Sequence, residues 1–211
     1  MTVNKKSFIK VGFLLIIVLI VGSILAIQNC LIKYPRGNEK IPYYNQKDVR
    51  WGKKLYGKTD TIKNAGCGPT CLAMIISGIT GRKDINPKII ADWSVENGNR
   101  AEGNGSYWSL MIKGGQAFGL NVENVSRKDT DKILKSLQEG KVIIVSVDKG
   151  KIASGGHFIV LRGITKKGKI LMYDPNSILN SKKEWDSDII FNESSTNGGE
   201  AGKPFWIFDK R

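Results

Sequence analysis

The chain has 211 residues, with 33 Lys and Arg against 19 Asp and Glu, and its formal net charge is +14. This length fits one domain plus a further segment, and three cysteines argue against a disulfide framework. The lysines are scattered without a basic helix or zinc-finger spacing, and the chain has 1 histidine, so we predict no nucleic-acid partner, no metal and no cofactor.

An apolar segment near the N-terminus is the first predicted element. Residues 11–27 carry no charge, the apolar character extends to residue 32, and Lys5, Lys6 and Lys10 precede it. Such a run can cross a bilayer as a helix, and lysines before it are typical of a signal sequence or signal anchor.

The sequence favours an anchor over a cleaved signal. Ile24-Leu25-Ala26 is a poor signal-peptidase site, and Asn29 before Cys30 does not fit a lipoprotein. We therefore predict a cytoplasmic tail at 1–10, a single-pass transmembrane anchor at 11–32, a linker at 33–40 and a domain at 41–211. That domain is expected on the outer side of the cell membrane.

Helices are predicted in the first half of the domain and strands in the second half. Caps and terminal glycines predict helices from Gly68 to Ile79, from Asn86 to Glu96, from a Ser106 cap to Gly119, and from an Asp129 or Thr130 cap to Gly140. β-branched and aromatic runs predict strands at 142–147, 157–165, 169–174 and 204–209, and no element is assigned within 175–203. This order favours an α+β fold over alternating units.

The stretch "NAGCGPTC", residues 64–71, places Cys67 where a helix begins. Gly66 and Gly68 permit a sharp turn or the close approach of another group, and Pro69 suits the first turn of a helix. Unpaired N–H groups at a helix N-terminus favour negative charge, and the thiolate is the nucleophilic form of cysteine. Cys67 is therefore a candidate nucleophile, whereas Cys67 and Cys71 are poorly placed for a bridge.

His157, in "SGGHFIVL", is the only imidazole available as a base for this thiol. Gly155 and Gly156 leave open space before it, and it begins an apolar strand. The imidazole needs a third group to orient it. A simple hairpin register places Asn176 or Ser177 opposite His157, and a bulge near Gly163 would favour Asp174, so the orienting residue stays open.

An acyl-transfer site also needs a donor for the developing oxyanion. The backbone N–H of Cys67 is one candidate, and the side-chain amide of Gln46, in "YYNQKDVRW", is a second.

Three blocks of the sequence together resemble papain-like cysteine peptidases, in particular the group related to bacteriocin-processing, double-glycine peptidases. They are "IPYYNQKDVRWG", "NAGCGPTCLAMIISGITG" and "GGHFIVLRGITKKGKILMYDPN", and the similarity covers about residues 41–177. The resemblance implies a papain-like fold in which the central helix starts at the nucleophile and an antiparallel sheet follows. It also implies Cys67 as nucleophile, His157 as base, Asp174 as orienting residue and Gln46 as oxyanion donor.

The expected function is hydrolysis of peptide bonds by a membrane-anchored, extracytoplasmic thiol peptidase. A bacterial cell-wall peptide or a secreted polypeptide is the expected substrate, and anionic wall polymers or lipid headgroups are candidate partners of the basic surface. Two alternatives use the same residues: an acyltransferase, and a cell-surface binding module without catalysis.

Overall fold

The computed structural model describes residues 37–196 and 203–211. The predicted tail at 1–10, the anchor at 11–32 and the linker up to residue 36 lie outside the described residues. Within them, no helix is long and apolar enough to cross a membrane.

A six-stranded antiparallel sheet with the order β5-β10-β6-β7-β8-β9 organises the described part of the chain. Its strands are β5 Leu120–Val125, β6 Val142–Val147, β7 His157–Ile164, β8 Ile170–Tyr173, β9 Glu184–Trp185 and β10 Phe205–Lys210. Two short hairpins lie outside it: β1 Leu55–Tyr56 with β2 Asp60–Thr61, and β3 Arg100–Ala101 with β4 Gly105–Ser106. Every pairing is antiparallel, as the predicted α+β class requires.

Seven helices accompany these strands in the described residues. They are α1 Ile62–Ala65, α2 Cys67–Thr80, α3 Pro87–Glu96, α4 Ser109–Ala117, α5 Thr130–Gln138, α6 Ile178–Ser181 and α7 Ser187–Glu193. The predicted first helix is confirmed as α2, which ends before Gly81 in the left-handed conformation. The predicted cap of α3 is confirmed too, because the Asn86 side chain accepts hydrogen bonds from the backbone of Lys88 and Ile89.

Helices cover both faces of the sheet. One apolar core joins α2, α3 and α4 to Ile144, Val160 and Trp206, and the other joins α5 and α7 to Val145 and Ile159. Strand β6 is buried along its whole length, which is why "VIIVSV" is a continuous apolar run instead of an alternating one. Helix α2 is the central helix, and its residues from Gly68 to Ile76 are all buried.

The sequence-based prediction of local structure is wrong or incomplete in three places. Ser106 does not cap a helix, because it lies in β4 and its hydroxyl is 2.6 Å from the Tyr56 hydroxyl; α4 begins three residues later. Strand β5 was not predicted, since Asn121 and Glu123 face solvent and only its ends are buried. The unassigned region 175–203 contains α6, β9 and α7.

Candidate active site

Cys67 is the first residue of the central helix α2 and is half-buried. A Cβ atom at Gly66 would lie 2.5 Å from the Ile62 carbonyl oxygen, and one at Gly68 would lie 2.7 Å from Ser106 Oγ. Neither glycine has a positive φ. The glycines around the cysteine therefore allow close packing of α1 and β4 against it, which is one of the two roles expected for them.

The imidazole of His157 lies close enough to the Cys67 thiol for each group to shift the pKa of the other. His157 is the first residue of β7, opposite Val147 of β6, and its side chain is 9% exposed. A Cβ atom at Gly155 or Gly156 would have no neighbour within 4 Å, so space is open beside the ring. The sheet thus fixes the histidine backbone while one side of the site stays accessible.

Asp174 is the side chain that the fold brings to the other side of His157, with Oδ1 2.8 Å from Nε2. A β-bulge shifts the β7–β8 register between Leu161 and Gly163. Beyond the bulge Val160 pairs with Tyr173, where β8 ends, and the chain then turns through residues 174–177. The turn brings the Asp174 carboxylate, which is 2% exposed, back toward the histidine.

The rival residue Asn176 does not present its side chain to His157. That side chain is exposed, and the Asn176 backbone N–H donates to Asp174 Oδ1 at 2.8 Å. Asn176 therefore contributes a main-chain donor to the Asp174 carboxylate.

The charged forms of the thiol and the imidazole stabilise each other. Burial raises the pKa of the Cys67 thiol, but the hydrogen bond and charge of His157 outweigh it, so this pKa lies below its usual value. Burial lowers the pKa of His157, but Asp174 and Cys67 outweigh it and raise this pKa to about 10. Both shifts thus favour a thiolate facing an imidazolium.

The charge of Asp174 is supported in the same way. Burial raises the pKa of its carboxyl, but the hydrogen bond and charge of His157 hold this pKa below its usual value. The carboxylate therefore stays ionised beside the imidazolium at neutral pH.

Gln46 lies between the segment that leads to Cys67 and the turn that follows Asp174. Its backbone N–H donates to the Pro175 carbonyl at 2.8 Å, and its side-chain Nε2 donates to the Lys63 carbonyl at 2.7 Å. The side chain is 4% exposed, and Oε1 has no hydrogen-bond partner among the described residues. The Lys63 carbonyl therefore fixes the orientation of the Gln46 amide, with its NH₂ group toward Lys63.

Cys67 and His157 both line a cleft of about 740 Å³. Its walls come from the β3–β4 hairpin, the start of α4 and the neighbouring ends of β6 and β7, and they include Gly103, Gly105, Tyr107, Ser146, Gly156 and Phe158. An extended peptide could lie in this cleft with its backbone close to the thiol, because small residues line it on both sides.

Comparison with known proteins decides the family. The model of the Peptidase_C39 like family matches residues 38–197. The chain belongs to the Peptidase_C39 like family. The resemblance inferred from the three sequence blocks is thereby confirmed.

One solved structure agrees with this family assignment at the level of the fold. A C39-like peptidase from Bacillus anthracis is 15% identical, with a TM-score of 0.54, and the match covers 81% of this chain and 95% of that chain. The peptidase domain of Streptococcus ComA, a bifunctional ABC transporter involved in quorum sensing, is 18% identical, with a TM-score of 0.48 and coverage of 75% and 99%. No curated protein matches the chain.

The site contains polar contacts that the sequence analysis missed. Asn180 Nδ2 donates to Asp174 Oδ2 at 2.8 Å, and the backbone N–H of Asp174 donates to Ser181 Oγ at 2.9 Å. Both residues lie in α6, within the region left unassigned. The only sequence signal is Ser177, which caps this short helix through its side chain. In the described residues, no three His, Cys, Asp or Glu side chains are grouped so that they could hold a metal ion.

Proposed function

We propose that this chain is a cysteine peptidase in which Cys67, His157 and Asp174 act together. Membership in the Peptidase_C39 like family supports a hydrolase of the peptidase class. The observation that carries the proposal is the grouping of the Cys67 thiol, the His157 imidazole and the Asp174 carboxylate at the wall of a cleft, with His157 Nε2 2.8 Å from Asp174 Oδ1.

In the first step, the Cys67 thiolate attacks the carbonyl carbon of a peptide bond and forms the tetrahedral intermediate. The developing oxyanion accepts hydrogen bonds from the Cys67 backbone N–H and from Gln46 Nε2. One Nε2 hydrogen of Gln46 is directed to the Lys63 carbonyl, so the second hydrogen is the one assigned to the oxyanion.

His157 then transfers the proton. Its Nε2 is engaged with Asp174, so Nδ1 faces the thiol and gives its proton to the leaving amine. The C–N bond breaks and a thioester to Cys67 remains. A water molecule loses a proton to Nδ1 and attacks the thioester, which releases the acid product and restores the thiolate.

The test is the initial rate of cleavage of candidate peptides by the purified full-length chain, compared with Cys67→Ala and His157→Ala. We expect turnover by the wild type and a loss of more than about 10³-fold in both variants, because the chain has no other histidine. Circular dichroism controls for folding. Full activity in folded His157→Ala would refute the proposal.

The same reactions identify the two alternative functions. If an added primary amine is joined to the acyl fragment in place of water, the chain is an acyltransferase. If peptides bind equally to the wild type and both variants and none is cleaved, the chain is a binding module.

We also propose that residues 11–32 anchor the chain in the cell membrane with the peptidase domain outside. The length and apolar character of this run support the proposal. Protease added to intact cells should degrade the domain. Full protection until the cells are lysed would contradict this orientation.

A further inference from the structure

The Asp174 carboxylate is held by more groups than His157 alone. Its Oδ1 accepts from His157 Nε2 and from the Asn176 backbone N–H, each at 2.8 Å, and its Oδ2 accepts from Asn180 Nδ2 at 2.8 Å. Because the residue is 2% exposed, these protein donors take the place of water around the carboxylate. Asn180 supplies the only side-chain donor to Oδ2 among the described residues.

The chemistry of its neighbours fixes the orientation of the Asn180 amide. Nδ2 faces Asp174 Oδ2 and lies 3.2 Å from the Ile152 carbonyl oxygen, and both of these atoms can only accept. A rotated amide would direct its own oxygen at two oxygens. The NH₂ group must therefore face both, with one hydrogen for each.

Asn180 is itself held in place by its helix and by β9. Its backbone N–H donates to Ser177 Oγ at 3.2 Å, and its carbonyl accepts from Trp185 Nε1 at 3.0 Å. Ile152 belongs to the loop that leads to Gly155, Gly156 and His157. The Asn180 amide therefore connects the Asp174 carboxylate to the segment that enters β7, so both partners of the His157–Asp174 hydrogen bond are linked to one side chain.

We propose that Asn180 is a positioning residue that orients the Asp174 carboxylate and, through it, the imidazole of His157. This inference rests on the proposed function. Without the Nδ2 donor, Oδ2 would be a buried acceptor without a partner, and the carboxylate would be held through Oδ1 alone, so its orientation would be less well defined. The ring would then lose the fixed direction that proton transfer at Nδ1 requires.

Several charged and titratable groups lie near this carboxylate, and their titration contributes to any pH dependence of kcat. They are His157 on β7, Cys67 and Cys71 on α2, Tyr43, whose hydroxyl donates to the Asp174 carbonyl, and Lys47, whose Nζ is 3.3 Å from the Asn176 carbonyl. Asn180 carries no charge, so Asn180→Ala changes the geometry without removing a charge.

The experiment measures kcat and KM for peptide cleavage by the full-length wild type, Asn180→Ala and Asn180→Asp. For Asn180→Ala we expect kcat to fall about ten- to hundredfold with KM changed less than about threefold, because a donor to a buried charge is lost. Asn180→Asp should be equally impaired at neutral pH and recover part of its kcat at acid pH, where a protonated carboxyl can again donate to Asp174.

The spectroscopic measurement uses ¹⁵N-histidine labelling without an affinity tag, since His157 gives the one histidine signal of the chain. In the wild type we expect a downfield proton on Nε2, bonded to a carboxylate. In Asn180→Ala this proton should move upfield or broaden, whereas a residue with a merely structural role would leave it unchanged in the folded protein.

Asn124 provides the matched control. Its Nδ2 also connects two oxygens, the Lys203 carbonyl at 2.6 Å and the Phe205 carbonyl at 2.9 Å, but at the β5–β10 edge of the sheet. Asn124→Ala should leave kcat and the histidine signal as in the wild type.

An unchanged kcat and an unchanged Nε2 proton in folded Asn180→Ala would overturn the proposal, as would equal losses of kcat in Asn180→Ala and Asn124→Ala. If no peptide is cleaved by the wild type but the histidine signal changes in Asn180→Ala, the proposed peptidase function fails while the positioning role stands. If Asn180→Ala does not fold, Asn180→Asp becomes the test. Recovery of kcat at acid pH in this variant supports the proposal, and no recovery overturns it.

Discussion

Cys67 and Cys71 lie one turn apart on α2, yet different groups surround their two sulfur atoms. Cys67 is half-buried, and the neighbouring His157 lowers its pKa. Cys71 is fully buried, and its Sγ donates to the Phe158 carbonyl at 3.3 Å. Burial raises the pKa of the Cys71 thiol, and the charges of Cys67 and Asp174 raise it further.

Phe158 takes part in both environments. Its backbone lowers the pKa of the Cys67 thiol and favours the thiolate, whereas its carbonyl accepts from the Cys71 thiol and favours the protonated form. One strand residue therefore supports opposite protonation states in two neighbouring turns of a helix. Position on a helix does not by itself set the pKa of a cysteine; the groups across from it do.

The largest expected effect comes from replacing each cysteine in turn. Cys67→Ala should lower the cleavage rate more than about 10³-fold. Cys71→Ala should keep the rate within about threefold but lower the free energy of unfolding by about 1–2 kcal/mol, because a buried hydrogen bond is lost and a small cavity is left. Peptide cleavage and chemical denaturation measure the two quantities. Equal loss of activity in both variants would contradict the different roles assigned to Cys67 and Cys71.

A smaller effect is expected for the group that supports the imidazolium opposite Cys67. Asp174→Ala should lower the cleavage rate about 10²- to 10³-fold, because an orienting residue positions the base without taking part in bond formation. Asn176→Ala should change the rate less than about twofold, since only its backbone N–H reaches Asp174. Initial rates on one peptide test both variants. A larger loss in Asn176→Ala would make the asparagine the orienting residue.

The smallest expected effect is a difference in alkylation. At pH 6 a thiol with a pKa of ~8.5 is almost entirely protonated, so Cys67 should react with iodoacetamide at least about tenfold faster than Cys71. Burial alone would also slow Cys71, and His157→Ala separates the causes. In that variant Cys67 keeps its place but loses the imidazolium, and its rate at pH 6 should fall about tenfold.

The pH dependence of Cys67 alkylation and of kcat/KM sharpens the same comparison. The lowered pKa of Cys67 keeps the thiolate at pH values below those of a free thiol, so the acid limb should lie on the acid side of a free cysteine. The alkaline limb of kcat/KM should lie near pH 10, where the imidazolium loses the proton that the leaving amine needs. Both limbs belong to the coupled pair. An acid limb near pH 8.5 would contradict the thiolate–imidazolium state.

The sequence predicted most elements of the fold because their signals are local. The cap at Asn86, the glycine after α2 and the apolar run of β6 each act through neighbouring residues, and all three are found as expected. Strand β5 was missed because it is an edge strand that pairs only with β10, about 85 residues further along the chain, and its outer positions are polar. Its identity as a strand depends on that distant partner.

For the candidate site, too, local features could be predicted from the sequence and contacts between distant residues could not. By itself the sequence determined that Cys67 begins a helix, that His157 begins a strand and that no second imidazole could serve the thiol, because helix caps, strand composition and residue counts are local properties. Residue spacing left Asp174 and Asn176 open as the orienting residue, although the family resemblance implied Asp174. Only the tertiary structure showed that the Asp174 carboxylate reaches His157 and that Asn180 contacts this carboxylate. The physical reason is register: a one-residue bulge between Leu161 and Gly163 and the turn at 174–177 determine which side chain meets the imidazole, and neither feature has a sequence signal strong enough to fix it.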